Sequence, residues 1–370
     1  MGLLVSLLLA LVVLYVAMRV YLATVLKWED EQTTGLNYFG RSLDQRERFK
    51  RTLARHASLL SPVLWLNSRM SKLDFRDSRI QYKGISGPPW SCSVESFQRA
   101  ETYQPSPEDV FVVTQMKCGT TWMQHVVYEI LERGQGTLVD TGTAMHAVSP
   151  WLESRKSVSL TEAPLIGSER PSRIIKTHLP VALCPYDPNA RFIYVARHPA
   201  SCFASCVDFI QMNVGAMAPA LPQFEEWFCT RDLMWWGTWT DHVLGWWRWS
   251  QEQRNVYVVY FEDMKRDLPG VIERVAAFLD ISPLSDEEVA SIAHKCGFGY
   301  MQSHESSFER QPPHILQARQ GSRRVVSGSA SRDREVPEDL RLRVSSWAAR
   351  ELAHTGFPLG RVYPDVAAAG

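Results

Sequence analysis

The chain has no excess charge of either sign: 40 Lys and Arg offset 40 Asp and Glu over 370 residues. Dedicated nucleic-acid binders carry a strong basic bias, so no nucleic-acid partner is expected, although a local cluster of cations around a small anion remains open. Low hydrophobicity is absent too. With 45% hydrophobic and 22% charged residues the chain has the apolar mass for a full core, which excludes a disordered protein. Cysteine is sparse: Cys92, Cys118, Cys184, Cys202, Cys206, Cys229 and Cys296 are odd in number and sit at no metal-ligand spacing, so reduced thiols are expected rather than a disulfide framework. There is no Walker-type G-x-x-x-x-G-K-[ST] run, no internal repeat and no Asn-x-Ser/Thr sequon. Tryptophan is the one abundance. Of 13, seven fall between Trp227 and Trp249.

One segment departs from this balance. Leu3 to Met18 carries no charge, and the apolar character continues to Leu26 with only Arg19 interrupting. As a helix that run spans about 36 Å, against a hydrocarbon core of about 30 Å. A buried core helix and a cleaved signal peptide are the alternatives. The lack of a basic region before the run and of a small-residue cleavage site after it favours a retained single-pass anchor over residues 1–26. Arg19, Lys27, Arg41, Arg46 and Arg48 all follow the run, so the positive-inside rule places the bulk of the protein on the cytoplasmic side of the membrane. Residues 27–79 then form a basic joining segment. Within it, Phe49, Leu53, Ala57 and Leu60 repeat at helical spacing, which suits either an amphipathic helix on a membrane or an ordinary surface helix.

From about residue 80 to 365 short apolar runs alternate with helical patterns. Val110–Val113, Ile174–Ile175, Phe192–Val195 and Val256–Phe261 read as strands; Trp122–Leu131, Pro199–Ile210 and Val271–Leu279 read as helices. Strands apolar on both faces, separated by helices, imply one α/β domain with a central parallel sheet flanked by helices. Residues 317–335 are rich in Arg, Ser and Gly and read as a basic loop.

Three constellations stand at strand ends. Lys117-Cys118-Gly119-Thr120-Thr121-Trp122 lies between a strand and a helix, where loop and helix-start amides converge on an anion; a structural turn is the plain alternative. Lys176-Thr177-His178-Leu179-Pro180 follows the next strand and offers a candidate base. Arg197-His198-Pro199 follows a third, with Ser205 two turns into the next helix. A lone His or Arg in such a place is more often structural. Three consecutive strand ends that each offer a cation point to one ligand carrying several phosphate-type groups.

These motifs resemble those of the cytosolic-type sulfotransferase family, whose donor is 3′-phosphoadenosine 5′-phosphosulfate (PAPS). Lys117 to Trp122 is similar to its 5′-phosphosulfate loop, Lys176 to Pro180 to its catalytic-histidine segment, and Tyr194-Val195-Ala196-Arg197 with Ser205 to its 3′-phosphate clamp. Phe224-Glu225-Glu226, Gly237-Thr238-Trp239, His242-Val243, Trp246-Trp247 and Glu262-Asp263-Met264 follow in the family's order. The resemblance implies a P-loop-like fold, with His178 as general base, Lys117 beside the leaving phosphate and Lys176 assisting at the sulfuryl group. It implies that Thr120 and Thr121 hold the 5′-phosphate, that Arg197 and Ser205 hold the 3′-phosphate, and that Trp122 stacks near the adenine. The scheme requires no metal.

The departures are also specific. Gln115-Met116 replaces a usual Tyr-Pro, which predicts a less rigid loop. Cys118 replaces a usual Ser, and a nearby lysine would lower its pKa and make it oxidisable. Phe261 stands for a Tyr against the adenine, Cys296 for a Thr, and Phe298 fits an adenine-stacking aromatic. Arg319-Gln320-Gly321 resembles the family's Arg-Lys-Gly with Gln for Lys; Arg323 or Arg324 are candidates to compensate. The expected activity is sulfuryl transfer to a hydroxyl or amine of a lipophilic small acceptor, bound near Met145–Trp151 and Asp208–Met217. The alternatives are a P-loop kinase or nucleotide hydrolase, which lacks its motifs here, and a catalytically impaired, nucleotide-binding relative acting as a membrane-bound interaction protein. A homodimer is open.

Overall fold

The computed structural model describes residues 2–34, 36–309, 311–318 and 336–370. Four parallel strands form the centre: β3 (Asp109–Thr114), β4 (Arg173–Thr177), β5 (Arg191–Ala196) and β6 (Val256–Tyr260), in the order β4-β3-β5-β6. An antiparallel hairpin, β1 (Ile80–Tyr82) and β2 (Ile85–Gly87), precedes them. Because side chains alternate along a strand, Phe111, Val113, Ile175, Phe192 and Tyr194 enter one apolar cluster while Val110, Val112, Ile174, Ile193 and Val195 enter a second on the opposite face. The second is covered by Met123, Val126 and Ile130 of α4 (Thr120–Leu131) and by Val271, Ile272 and Val275 of α8 (Leu268–Phe278). The first is covered by Cys202, Phe203 and Val207 of α5 (Pro199–Val214), by Trp239, Val243 and Trp246 of α6 (Trp239–Glu252) and by Leu340, Val344 and Ala348 of α9 (Glu338–Leu352). This is the expected covered parallel sheet. Element boundaries move by a few residues. Phe261, read as strand, starts α7 (Phe261–Arg266), and Leu268-Pro269 starts α8 earlier than the apolar run suggests, with the Asp267 side chain capping Gly270.

The apolar N-terminal run forms a single helix, α1 (Gly2–Thr33), long and apolar enough to cross a membrane. Its outer side chains are exposed from Leu3 to Val20, whereas Leu22 and Val25 are buried. The helix therefore does not end at Leu26 but runs on into the body. It packs on α2 (Leu43–Leu59) and α3 (Ser61–Met70) through a third apolar cluster that includes Phe49, Leu53, Ala57 and Ile315. The apolar face of α2 is thus used against protein. That favours the surface-helix reading over a helix lying on a membrane.

One of the cations read as membrane-flanking is placed otherwise. Arg46 is fully buried; its guanidinium donates to the carbonyls of Ser306 (2.6 Å) and Gly142 (2.7 Å) and lies 3.6 Å from Glu309. Glu309 also accepts from Tyr38 at 2.6 Å and from Lys50. Breaking a buried charge pair costs about 3–5 kcal/mol because the other charge stays desolvated. Arg46→Ala is expected to lower stability by that order, read as a shift of the urea midpoint of the detergent-solubilised full chain.

Candidate active site

Strand β3 has β4 on one side and β5 on the other, so the chain switches direction across it, and the crevice lies beyond the carboxyl ends of the strands. There a single cavity of ≈ 280 Å³ is lined by Lys117, Gly119, Thr120, Thr121, Trp122, Lys176, His178, Arg197, Ser205, Phe261, Cys296 and Phe298. The structure brings these expected site residues together. Cys118 lies beneath the loop rather than in the cavity, and Arg319, Gln320, Gly321, Arg323 and Arg324 lie outside the described residues.

The loop after β3 is built by left-handed backbone at Lys117 (φ 66°) and Gly119 (φ 104°). A Cβ at Gly119 would fall 2.7 Å from Phe261 Cδ2, so only glycine fits. Gly119 has no side chain to cap α4, which leaves the first-turn amides to serve a ligand at the helix N-terminus. Arg197 closes the loop from β5: its Nη1 donates to the Lys117 carbonyl at 2.8 Å and its guanidinium lies 4.5 Å over the Phe261 ring. Arg197 Nε is buried with no hydrogen-bond partner, as expected of a group waiting for an anion. The Trp122 indole is fixed by donation to the Cys296 carbonyl at 2.8 Å and by an edge contact to Phe261. The Cys296 thiol is buried in the core, so its carbonyl, through Trp122, is what serves the cavity.

His178 sits one residue past β4 and is buried. Its Nδ1 is 2.9 Å from the Thr114 carbonyl and 3.2 Å from the Thr114 hydroxyl, which itself meets Thr120 at 2.7 Å. A carbonyl accepts only, so the network assigns the proton to Nδ1 and leaves Nε2 as the nitrogen with a free lone pair. Burial, then the neighbouring Lys176, hold the imidazole pKa well below its ordinary value. The Lys176 ammonium lies 3.8 Å over the Trp151 ring and that of Lys117 4.4 Å over Phe209.

Two expectations need correction. Gln115 does not loosen the loop. It is fully buried, and its Nε2 donates to the carbonyls of Trp235 (3.1 Å) and Gly237 (2.5 Å) while its Oε1 accepts the Met116 amide. Cys118 does not gain acidity from a lysine. Burial and the contact with the Cys202 thiol, 3.6 Å away, push its pKa up instead.

The tryptophan-rich stretch divides between core and cavity. Trp239 and Trp246 are buried, and their indoles donate to the carbonyls of Arg197 (2.9 Å) and Leu179 (3.2 Å). Trp235 and Trp236 line the cavity, and Trp236 lies 4.8 Å from His178. Of the two stretches expected at the acceptor, only Trp151 and Phe209 line the cavity; Pro88, Trp90 and Phe308, which no motif singled out, join them.

The sulfotransferase domain family matches residues 107–356. A rat protein, sulfotransferase 2B1, is 30% identical over 280 residues, 72% of this chain and 79% of its own. The rat sulfotransferase 1C2 is 29% identical over 225 residues, 59% of this chain and 74% of its own. The chain belongs to the sulfotransferase family. Among solved structures, a mouse sulfotransferase complexed with PAP aligns with a TM-score of 0.56 at 22% identity, over 80% of this chain and 100% of that one. A retinol dehydratase in complex with androsterone and the inactive cofactor PAP aligns at 0.61 and 17% identity, over 80% of this chain and 98% of that one. Both share the sulfotransferase's fold.

The buried thiols give a direct test. Cys118, Cys184 and Cys296 have pKa values raised by burial, so little thiolate forms at neutral pH. In the native sulfotransferase at pH 7.5 they are expected to resist iodoacetamide and to react only in denaturant, as read by peptide mapping.

Proposed function

We propose that this sulfotransferase moves the sulfuryl group of PAPS to the hydroxyl of a lipophilic small acceptor. The observation that carries the reading is the meeting of Lys117, Lys176, His178 and Arg197, from three adjacent strand ends, on one cavity. The donor fits. The capless α4 N-terminus suits a 5′-phosphate, and the partnerless Arg197 Nε with Ser205 nearby suits a 3′-phosphate. Phe261, Trp122 and Phe298 supply the aromatic surface for the adenine.

In the proposed reaction His178 Nε2 takes the acceptor proton as the acceptor oxygen bonds to sulfur. The bond from sulfur to the phosphate oxygen breaks, leaving adenosine 3′,5′-bisphosphate. Lys117 neutralises the charge that grows on the departing oxygen, and Lys176 meets the sulfuryl oxygens. The rest of the cavity, with Trp90, Trp151, Trp235, Trp236 and Phe209, is aromatic and suits an apolar ring system.

We further propose a single-pass anchor over residues 1–26, a joining segment over 27–79 and the catalytic domain over 80–365 on the cytoplasmic side. The exposed apolar face from Leu3 to Val20 supports the anchor, and the cations Lys27 and Arg48 beyond it support the orientation.

His178→Ala is expected to lower kcat by about 10²–10⁴-fold with the affinity for adenosine 3′,5′-bisphosphate retained. Arg197→Met is expected to weaken that affinity about tenfold or more, measured by calorimetry. Because the His178 pKa is lowered, the neutral base persists as pH falls, and kcat/KM of the wild type should show no acidic limb near the ordinary imidazole value. A limb near pH 6.5 would speak against this protonation state.

A further inference from the structure

His178 is gripped by its main chain as well as by its ring, and one of the gripping groups is unexpected. Residues 150–152 run beside β4: the Lys176 amide donates to the Pro150 carbonyl at 2.8 Å and the Leu152 amide to the Lys176 carbonyl at 2.9 Å. This pairing brings Glu153, which is fully buried, to the end of β4. One carboxylate oxygen accepts the His178 amide at 2.8 Å; the other accepts the Thr177 hydroxyl at 2.8 Å. Thr177 Oγ1 accepts the Leu179 amide in turn, at 3.1 Å. The Glu153 main chain is held as well, its carbonyl accepting the Ser96 hydroxyl at 2.7 Å. On the opposite side the His178 carbonyl meets His242 Nε2 at 2.9 Å, and His242 Nδ1 meets the Tyr194 hydroxyl at 3.0 Å.

Burying a carboxylate is expensive, and an apolar residue would fill the same space at lower cost. The compensation visible at Glu153 is directional. Its two oxygens fix two successive residues of the β4 exit, whose turn aims the imidazole. The ring hydrogen bond to Thr114 sets rotation about the side chain; the Glu153 and His242 contacts set where that side chain starts.

We propose that Glu153 is a positioning residue for the base, acting through His178 and touching neither acceptor nor donor. The proposal rests on the reading of His178 as general base. A misplaced base is felt in proportion to how much the acceptor needs one. The test therefore compares an aliphatic alcohol with a nitrophenol already largely ionised at the assay pH, using the detergent-solubilised full chain. Glu153→Ala is expected to lower kcat for the alcohol by about 100-fold and for the nitrophenol by less than about tenfold. The affinity for adenosine 3′,5′-bisphosphate should stay within about twofold. Glu153→Gln keeps an acceptor for the His178 amide and a donor toward Thr177 Oγ1, and should restore kcat to within about fivefold. If Glu153→Ala does not fold, Thr177→Val, which removes one of the two grips, should show the same dependence on acceptor acidity with a smaller loss. Equal losses for both acceptors, or a loss that only tracks the folded fraction, would overturn the assignment. Absence of turnover by the wild type with both acceptors would instead overturn the transfer reading, and this role with it.

Discussion

Strand β3 is hydrogen-bonded in parallel to β4 along one edge and to β5 along the other, so three chain exits leave the sheet at the same end. The register sets their level: Val113 lies opposite Thr177, and Thr114 opposite Val195. Side chains placed one to three residues beyond these pairs must share one volume. Lys117, His178 and Arg197 are separated by long stretches of chain, yet the ladder makes them neighbours. A slip of one residue in either ladder would reverse the faces of its apolar side chains, so the two cores that hold the sheet also hold the site in register.

Around that frame the cavity is organised by main-chain carbonyls. The carbonyl of Lys117 takes Arg197, that of Thr114 takes the His178 ring, and that of Cys296 takes Trp122. Trp235 and Gly237 give theirs to Gln115, Arg197 and Leu179 to Trp239 and Trp246. Each contact lets a side chain gauge a turn; Trp239 and Trp246 supply apolar bulk and one directional donor together, whereas Trp227, Trp235 and Trp236 contribute bulk alone.

The fold was legible because apolar, β-branched runs of strand length, without alternation and set between helical patterns, read as strands covered on both faces. The three cationic strand ends were legible because such ends meet in any sheet of this kind. The grips behind them were not. Glu153 lies in no spacing that periodicity detects, His242 stands in the sequence only as part of a motif with no role attached, and Gln115 reads as a departure until its amide is seen to span two carbonyls of a distant turn. Arg46 counts in a sequence as one more surface cation, yet three long-range partners draw it inside. The acidity of Cys118 is hidden for the same reason: sequence shows the neighbouring lysine, whereas the burial that dominates is a property of the whole fold.

The apolar helix enters the body without a break. At its inner end the Glu29 carboxylate accepts the Ile315 amide at 3.0 Å, Asp30 pairs with Arg155 at 2.9 Å, and Lys156 donates to the Thr33 hydroxyl at 3.1 Å. Arg155 and Lys156 lie four and five residues after Trp151, and Ile315 four after Gln311, both of the cavity wall. α1 is thus one unbroken rod, exposed and apolar at its outer end, whose inner end is moored by charge and hydrogen bonds to two segments of chain that each also supply a residue to the cavity wall.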